Sequence, residues 1–279
     1  MNEGIFYAQN NNMHYNISLP PAHLSSFVQY FWQVQVDFAN KKNFTHISTA
    51  SSCSGLQFYF EGGFGNAQNS SFVSFEKAAV FHGQTNSPED FITNGSAGIF
   101  GVKFYPFAVP LLFGVPATEL TNQILTLDIL LGSEGTALIE RIYTARDFTE
   151  RVGATSQFLI NQMDVTKPLD GRIVDAVHLI NLRNGITDLA SLLKKVSLSE
   201  RQFERKFNEM IGFTPKSYAK IVRFEYAKNC FETNTQSFTD IATLCGYYDQ
   251  AHFNRDFKAL SGHTPKAYHR NYSALKPDV

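Results

Sequence analysis

A repeated pattern in the last third of the 279-residue chain constrains its fold more than any other sequence feature. Residues 197–218 (SLSERQFERKFNEMIGFTPKSY) and 248–268 (YDQAHFNRDFKALSGHTPKAY) share F-x-R-x-F, a glycine and T-P-K-x-Y at an offset of 50. Upstream, TDLA at 187–190 matches TDIA at 239–242 at an offset of 52. The two-residue difference falls between a short and a longer helical segment, where a turn can absorb it. Each copy therefore predicts a helix-turn-helix.

The region beyond residue 170 is predicted to be helical throughout. Its apolar spacing and turn residues indicate helices at 171–182, 187–194, 199–210, 215–232, 239–245, 250–260 and 265–271. The expected N-cap residues of three of these helices are Thr187, Ser199 and Thr239. Gly212 and Gly262 directly follow helical runs, so we expect both to end a helix in the left-handed conformation.

The second helix of each copy is predicted to have one buried face and one exposed face. Its apolar residues recur at i, i+4 and i+7, and these positions are Phe203, Phe207 and Met210 in one copy and Phe253, Phe257 and Leu260 in the other. The two copies keep these apolar positions and differ mainly at polar positions on the other faces. Arginine, glutamine, asparagine and histidine on such a face can address base edges in a major groove. The pattern thus indicates two modules of one fold with different exposed surfaces.

Residues 215–231 (PKSYAKIVRFEYAKNCF) form a predicted helix between the two copies. At about 1.5 Å per residue this helix spans ~25 Å. A spacer of that order could place two recognition helices in successive major grooves, which lie ~34 Å apart, with slight bending of the DNA. Lys216 and Lys266 start the helices after the recognition helices, where a cation and a helix N-terminus both favour a phosphate. Lys258 is a third candidate for a phosphate contact.

The net charge of −1 conceals two oppositely charged regions. From residue 166 onwards there are 17 lysines and arginines against 12 aspartates and glutamates, a net charge of +5. The remaining part of the chain has 7 basic and 13 acidic residues, a net charge of −6. This asymmetry suggests a polyanionic partner for the C-terminal region alone.

The first half of the chain has the composition of a β-rich domain. Short aromatic and β-branched runs such as GLQFYFEGGFG and AGIFGVKFYPFAV alternate with glycine, asparagine and serine clusters, and GGFG at 62–65 is interpreted as a turn. The sequence becomes helical from 117 to 163, where Leu138, Ile142, Ala145 and Phe148 share one helical spacing. The polar segment 164–170 (DVTKPLD) is the predicted boundary. We therefore expect a β-rich domain with a helical C-terminal part at 1–165 and a DNA-binding domain at 171–272.

No catalytic or metal-binding motif is evident in the first half. His14, His23, His46 and His82 are scattered without metal-ligand spacing, and Cys53 has no basic neighbour in the sequence. We therefore predict a non-enzyme with no metal and no cofactor. A small apolar or sugar-like effector within the β domain remains a hypothesis beside that of a filled aromatic core. The three distant cysteines and the absence of a long apolar run favour a cytoplasmic protein without a membrane segment.

Residues 186–270 resemble the two-helix-turn-helix DNA-binding domain of the AraC/XylS family of bacterial transcription regulators. Residues 241–268 carry the pattern I-A-x-x-x-G-Y-x-D-x-x-H-F-x-R-x-F-K-x-x-x-G-x-T-P-x-x-Y, which is similar to that family's signature. The resemblance implies base contacts from Arg201, Gln202, Glu204 and Arg205 in the first recognition helix. It implies base contacts from Gln250, Ala251, His252 and Arg255 in the second. The first copy departs at its turn, where Leu193-Lys194 stands opposite Cys245-Gly246.

The resemblance also implies an overall architecture and a set of partners. Residues 19–32 and 100–116 are similar to the β-rich, cupin-like module that often precedes this DNA-binding domain, and the resemblance implies a sensory or dimerisation role for residues 1–165. The expected fold class is thus α+β with two domains: a cupin-like N-terminal domain with a helical extension, and an all-α domain of two helix-turn-helix motifs joined by a linker helix. The implied partners are double-stranded DNA, RNA polymerase, a small-molecule effector and a second copy of the chain. An alternative is a β-barrel enzyme or carbohydrate-binding module with a DNA-binding appendage, and a third option is a regulator without any small ligand.

Overall fold

The computed structural model describes residues 13–36, 44–66, 73–74, 79–163, 169–233 and 237–273. An antiparallel sheet with helical cover precedes a helical C-terminal region. The N-terminal strands are β1 (Met13–Ser18), β2 (Val28–Val36), β3 (Phe44–Ser48), β4 (Gly55–Asn66), β5 (Val73–Ser74), β6 (Ala79–His82), β7 (Glu89–Phe104) and β8 (Ile124–Thr126). Most of the predicted boundary segment, residues 164–168, lies outside the described residues.

Strand β7 organises the sheet, because it pairs antiparallel with β2, β3 and β4. The hydrogen-bonded order is β1-β2-β7-β4-β6-β8, with β3 on β7 and β5 on β4. Alternation along the strands places Phe31, Phe58 and Phe100 on one face, where their rings contact one another. These aromatic residues therefore fill a core and explain why the runs in this half of the sequence are so rich in phenylalanine.

The prediction of a turn at residues 62–65 is wrong, since these residues continue strand β4. Gly62 adopts a φ of +72°, and the register of β4 against β7 shifts around Glu61. A Cβ at Gly62 would lie 2.0 Å from the carbonyl oxygen of Ser96. The glycines thus allow a β-bulge-like irregularity within a long strand. A local sequence pattern does not distinguish such an irregularity from a turn.

One face of the sheet is covered by helices α1 (Val109–Phe113), α2 (Ala117–Leu120), α3 (Leu127–Thr144) and α4 (Phe148–Gln162). The helical prediction for 117–163 is confirmed for 117–120, 127–144 and 148–162, whereas 124–126 pairs with β6 as strand β8. The predicted apolar stripe does not continue through one helix, because Ala145 ends α3 in an extended conformation. Asp147 then caps α4 by accepting a hydrogen bond from the backbone N–H of Glu150 at 2.9 Å.

The seven helices predicted for the C-terminal region are confirmed, with ends that differ by one or two residues. They are α5 (Gly171–Leu182), α6 (Leu189–Val196), α7 (Glu200–Ile211), α8 (Pro215–Thr233), α9 (Phe238–Leu244), α10 (Gln250–Ser261) and α11 (Pro265–Ser273). Gly212 and Gly262 end α7 and α10 with φ of +84° and +77°, as predicted.

Two of the three predicted N-caps are wrong. Asp188, not Thr187, caps α6 by accepting from both the N–H and the hydroxyl of Ser191. Ser237, not Thr239, caps α9 in a reciprocal arrangement with Asp240. In both cases a second residue of cap type lies one or two positions from the true cap, so the residue type alone did not identify the position. Ser199 caps α7, as predicted.

The buried apolar residues form two clusters. One lies between the sheet and helices α1–α4. The other unites α5–α11 and also includes Ala50 and Phe107 from the N-terminal half. The α+β fold class with a β-rich N-terminal part, a helical extension and two helix-turn-helix motifs is confirmed.

Candidate nucleic-acid interface

Each helix-turn-helix is held by the same aromatic arrangement. The two phenylalanines of the repeated motif pack against each other, as Phe203 with Phe207 in α7 and Phe253 with Phe257 in α10. The second phenylalanine of each motif then meets the tyrosine of T-P-K-x-Y edge-on. All four phenylalanine side chains are fully buried. The residues that the two copies share thus form the buried scaffold, and the other faces of α7 and α10 lie toward solvent.

The turn between the two helices differs between the copies. In the second copy, Gly246 follows the end of α9 with a φ of +69°. In the first copy, Ser197 takes the left-handed conformation after α6, with a φ of +50°. Leu193 and Lys194 lie within α6, so the chain does not turn there and no glycine is required at these two positions. The first copy thus differs from the second as predicted: its helix α6 extends further along the repeat, and a serine instead of a glycine takes the left-handed conformation.

The candidate base-reading residues of α7 lie on its exposed side. Arg201, Gln202, Glu204 and Arg205 are all exposed. The Gln202 side chain is engaged in the helix cap, where its amide oxygen accepts from the Ser199 N–H at 3.2 Å. Arg205 forms an ion pair with Glu209 at 2.9 Å. Two of the four side chains therefore have to exchange an existing contact when they bind a base.

The candidate base-reading residues of α10 lie near its N-terminus. Gln250, Ala251 and Arg255 are exposed, whereas His252 is half-buried against the edge of the Tyr247 ring. The backbone N–H of His252 donates to Asp249, the N-cap of α10, at 2.6 Å. This end of α10 points its first residues outward, which is the arrangement in which a recognition helix meets base edges.

The candidate phosphate-contact residues Lys216, Lys258 and Lys266 are all exposed. Lys216 and Lys266 are the second residues of α8 and α11, directly after the proline at the first helical position. A cation beside exposed backbone N–H groups at a helix start suits a phosphate. The two modules present this combination at equivalent positions.

A cluster of charged side chains joins the linker helix α8 to α10. This cluster was not predicted from the sequence. Asp256 accepts from Lys220 at 2.8 Å, and it lies 3.4 Å from Nε2 of His252 and 3.9 Å from Arg223. The Arg223 guanidinium also lies 4.4 Å from the centre of the Tyr247 ring. The i,i+4 spacing of His252 and Asp256 was the available sequence signal, but nothing local indicated that α8 would supply two more cations.

Of the potentially reactive groups of the N-terminal half, Cys53 is buried and His82 is half-buried, whereas His14 and His23 are exposed. Burial and the neighbouring Glu225 raise the pKa of Cys53 to about 12, and its sulfur accepts a hydrogen bond from Gln29. Burial lowers the pKa of His82 to about 4. Within the described ranges, no three histidine, cysteine or carboxylate side chains are grouped as metal ligands. Nor does any described helix combine the length and apolar character that crossing a bilayer requires.

This geometry defines a protein with tandem helix-turn-helix motifs. A family model described as a helix-turn-helix domain matches residues 192–271, and a domain of unknown function (DUF6597) matches residues 17–126. The arabinose operon regulatory protein of Salmonella typhimurium is 27% identical over 124 residues, which are 42% of this chain and 44% of the relative. The transcriptional activator RhaS of Citrobacter koseri is 32% identical over 85 residues, 30% of this chain and 31% of the relative.

Over its C-terminal helix-turn-helix region, the chain is similar to transcription regulators of the AraC type. It spans less than half the length of the curated relatives that it matches. Among solved structures, it is similar to fatty-acid-bound ToxT of Vibrio cholerae, at 13% identity and a TM-score of 0.48 over 100% of both chains.

Proposed function

We propose that this protein is a sequence-specific DNA-binding transcription regulator in which α7 and α10 read two adjacent segments of double-stranded DNA. One observation carries the proposal. Two helices with the same buried aromatic scaffold present different polar faces, and both are packed on the single linker helix α8. A protein that merely needed a solvated surface would have no use for two such modules on one support. The protein acts by binding rather than by catalysis.

The proposed base contacts come from Arg201, Gln202, Glu204 and Arg205 and from Gln250, Ala251, His252 and Arg255. The proposed phosphate contacts come from Lys216, Lys258 and Lys266. Exposure of these side chains supports the assignment, with His252 as the one half-buried member. Since His252 and Arg205 already have acidic partners, they contribute selectivity by exchanging one charged contact for another.

The test starts from selection of bound sequences out of random DNA by the full chain. On the selected site, Arg255→Ala should weaken binding by about 1–3 kcal/mol and relax the preference at one base pair. Lys266→Ala should weaken binding to all sequences and reduce the salt slope by about one unit. Arg146→Ala is the matched control, because this exposed arginine lies on the N-terminal half before α4. Equal affinity of wild type, R255A and K266A would contradict the assignment.

The N-terminal half is proposed to control this activity through a small-molecule effector and through pairing with a second copy of the chain. We further propose that regulation involves RNA polymerase and takes place in the bacterial cytoplasm, where promoters are accessible. The proposed domain ranges are 1–165 and 171–272. A panel of metabolites should contain a compound that raises the melting temperature of the full chain, and sedimentation measures the dimer. A panel without any such compound would favour regulation without an effector.

A further inference from the structure

The N-terminal half contacts both helix-turn-helix modules at equivalent places. The backbone N–H of Ala50 donates to the carbonyl of Leu260, near the end of α10, at 2.8 Å. The hydroxyl of Thr121 shares its one hydrogen between the carbonyl of Ala117 in α2, at 2.9 Å, and the carbonyl of Gly212, which ends α7, at 3.3 Å. Carbonyls at the end of a helix lack partners within the helix. Donors from the N-terminal half therefore hold the C-terminal end of each recognition helix.

The N-terminal half also forms hydrogen bonds with the linker helix α8, which lies between the two modules. Both the N–H and the hydroxyl of Ser52 donate to the Glu225 carboxylate, at 2.8 Å and 2.7 Å. One turn further along α8, the ammonium group of Lys228 donates to the hydroxyl of Thr49 at 3.0 Å. Thr49, Ser52 and Lys228 are each buried. Segment 49–52 thus contacts α8 through Thr49 and Ser52, and it contacts the end of α10 through Ala50.

Charge makes this contact costly to rearrange. Lys103 of β7 is buried near Glu225 and Lys228, and burial lowers its pKa to about 8 while Glu225 opposes that shift. Two buried ammonium groups thus share the neighbourhood of one carboxylate. Removal of one of these partners while the contact stays closed would leave a buried charge uncompensated, which is strongly unfavourable.

The segment that makes these contacts is itself fixed in the N-terminal half. Ser51 and Thr85 exchange backbone hydrogen bonds at 2.9 and 3.0 Å. The hydroxyl of Ser51 also donates to the carbonyl of Cys53 at 2.9 Å. Segment 49–52 therefore transmits the position of the sheet to α8 and α10. Helix α2, which packs on α7, does the same for the first module.

We propose that segment 49–52 and helix α2 act together as a brace, a positioning element that fixes the spacing and angle of the two recognition helices for DNA. This inference rests on the proposed function and adds how the two modules are set relative to each other. The contacts lie at the C-terminal ends of α7 and α10, and the candidate base-reading residues of α7 and α10 stay solvent-accessible, His252 only in part. The brace therefore supports DNA reading instead of blocking it. Ser52 and Thr121 are positioning residues that do not touch DNA.

The experiment measures how strictly the protein discriminates the spacing of its two half-elements. Affinity is measured for the selected site and for a version with about 5 base pairs inserted between the half-elements, half a turn of DNA. The double variant S52A/T121V removes two donor hydroxyls of the brace. Its ratio of affinities for the two sites should fall by about tenfold, the factor associated with one hydrogen bond to a charged group. Loss of folded protein lowers both affinities equally and leaves this ratio unchanged.

Thr155→Val is the matched control, since Thr155 is a fully buried residue in the middle of α4 whose hydroxyl has no hydrogen-bond partner among the described residues. T155V should keep the wild-type ratio, and S52T/T121V should recover part of the loss. If S52A/T121V does not fold, S52A alone is measured in the same way. An unchanged ratio in a folded variant would overturn the brace while the proposed function stands. Wild-type protein that selects no DNA would overturn both.

Discussion

The contact between α2 and the end of α7 can be tested by comparing two glycines. Gly212 and Gly262 both adopt left-handed φ, +84° and +77°. Alanine in that conformation costs about 1–2 kcal/mol at either position. Among the described residues, a Cβ at Gly262 would meet only Pro88, at an ordinary 3.4 Å. A Cβ at Gly212 would lie 2.0 Å from the Thr121 hydroxyl and 3.0 Å from the Ala117 carbonyl. The two substitutions thus share the strain and differ in the clash.

Overpacking of this kind adds about 1–3 kcal/mol. Gly262→Ala should therefore lower the free energy of unfolding by about 1–2 kcal/mol, and Gly212→Ala by about 2–5 kcal/mol. Urea unfolding of both variants measures the difference, with the slope against urea checked for constancy. The background substitution Thr121→Ala removes the nearest obstacle and should make Gly212→Ala less costly, by a coupling of about 0.5–3 kcal/mol. Equal losses for the two glycine variants would refute the reasoning, since α2 would then not limit the space at Gly212.

Three further outcomes are expected. Asp256→Asn should lower the free energy of unfolding by about 1 kcal/mol at low salt, because Lys220 and its neighbours lose a partly exposed carboxylate. Urea unfolding should show a smaller loss of stability in 1 M salt, and an undiminished loss would contradict an ionic cause. Cys53, with its pKa raised to about 12, should react with a thiol reagent at pH 8 about 1,000-fold more slowly than a free thiol until urea unfolds the chain; rapid labelling of native protein would contradict its burial. His82 has a folded pKa of about 4, below the unfolded value of ~6.5, so the stability that it contributes is present above pH ~6.5 and is lost as the pH falls toward 4, by up to about 3 kcal/mol. Unfolding of His82→Gln across pH 4–7 should show a flatter acid limb, and the same slope as wild type would contradict this linkage.

The helical half could be predicted closely because its signals are local. The repeated F-x-R-x-F motif supplied the buried face, and the T-P and glycine positions supplied the ends of the helices. Errors arose where two neighbouring residues could serve one role, as with Thr187 beside Asp188. The continuation of β4 through Gly62 was missed for a different reason, since glycine marks both turns and bulges and only the pairing with the partner strand distinguishes the two.

The contacts between distant parts of the chain could not be predicted from this sequence. Nothing near Ser52 indicates that its hydroxyl meets Glu225, because the two residues are 173 positions apart. The same holds for Thr121 with Gly212 and for Lys220 with Asp256. Local pattern shows which residues must be buried or capped, whereas the choice of distant polar partners depends on how finished elements pack. The base-reading assignments remain predictions that the DNA experiments decide.

The apolar core of the helical half includes Ala50 and Phe107, which belong to the N-terminal half. Such a core cannot be divided cleanly at residue 170, since a cut there removes side chains that the helices pack against. A domain exchanged between relatives therefore has to replace the two side chains that the N-terminal half contributes to this core. A new sensor joined to these reading helices would have to bring a small residue and an aromatic ring to the same two places, or the helices would expose an unfilled surface. The two halves are expected to change together over evolution, even though each has its own fold.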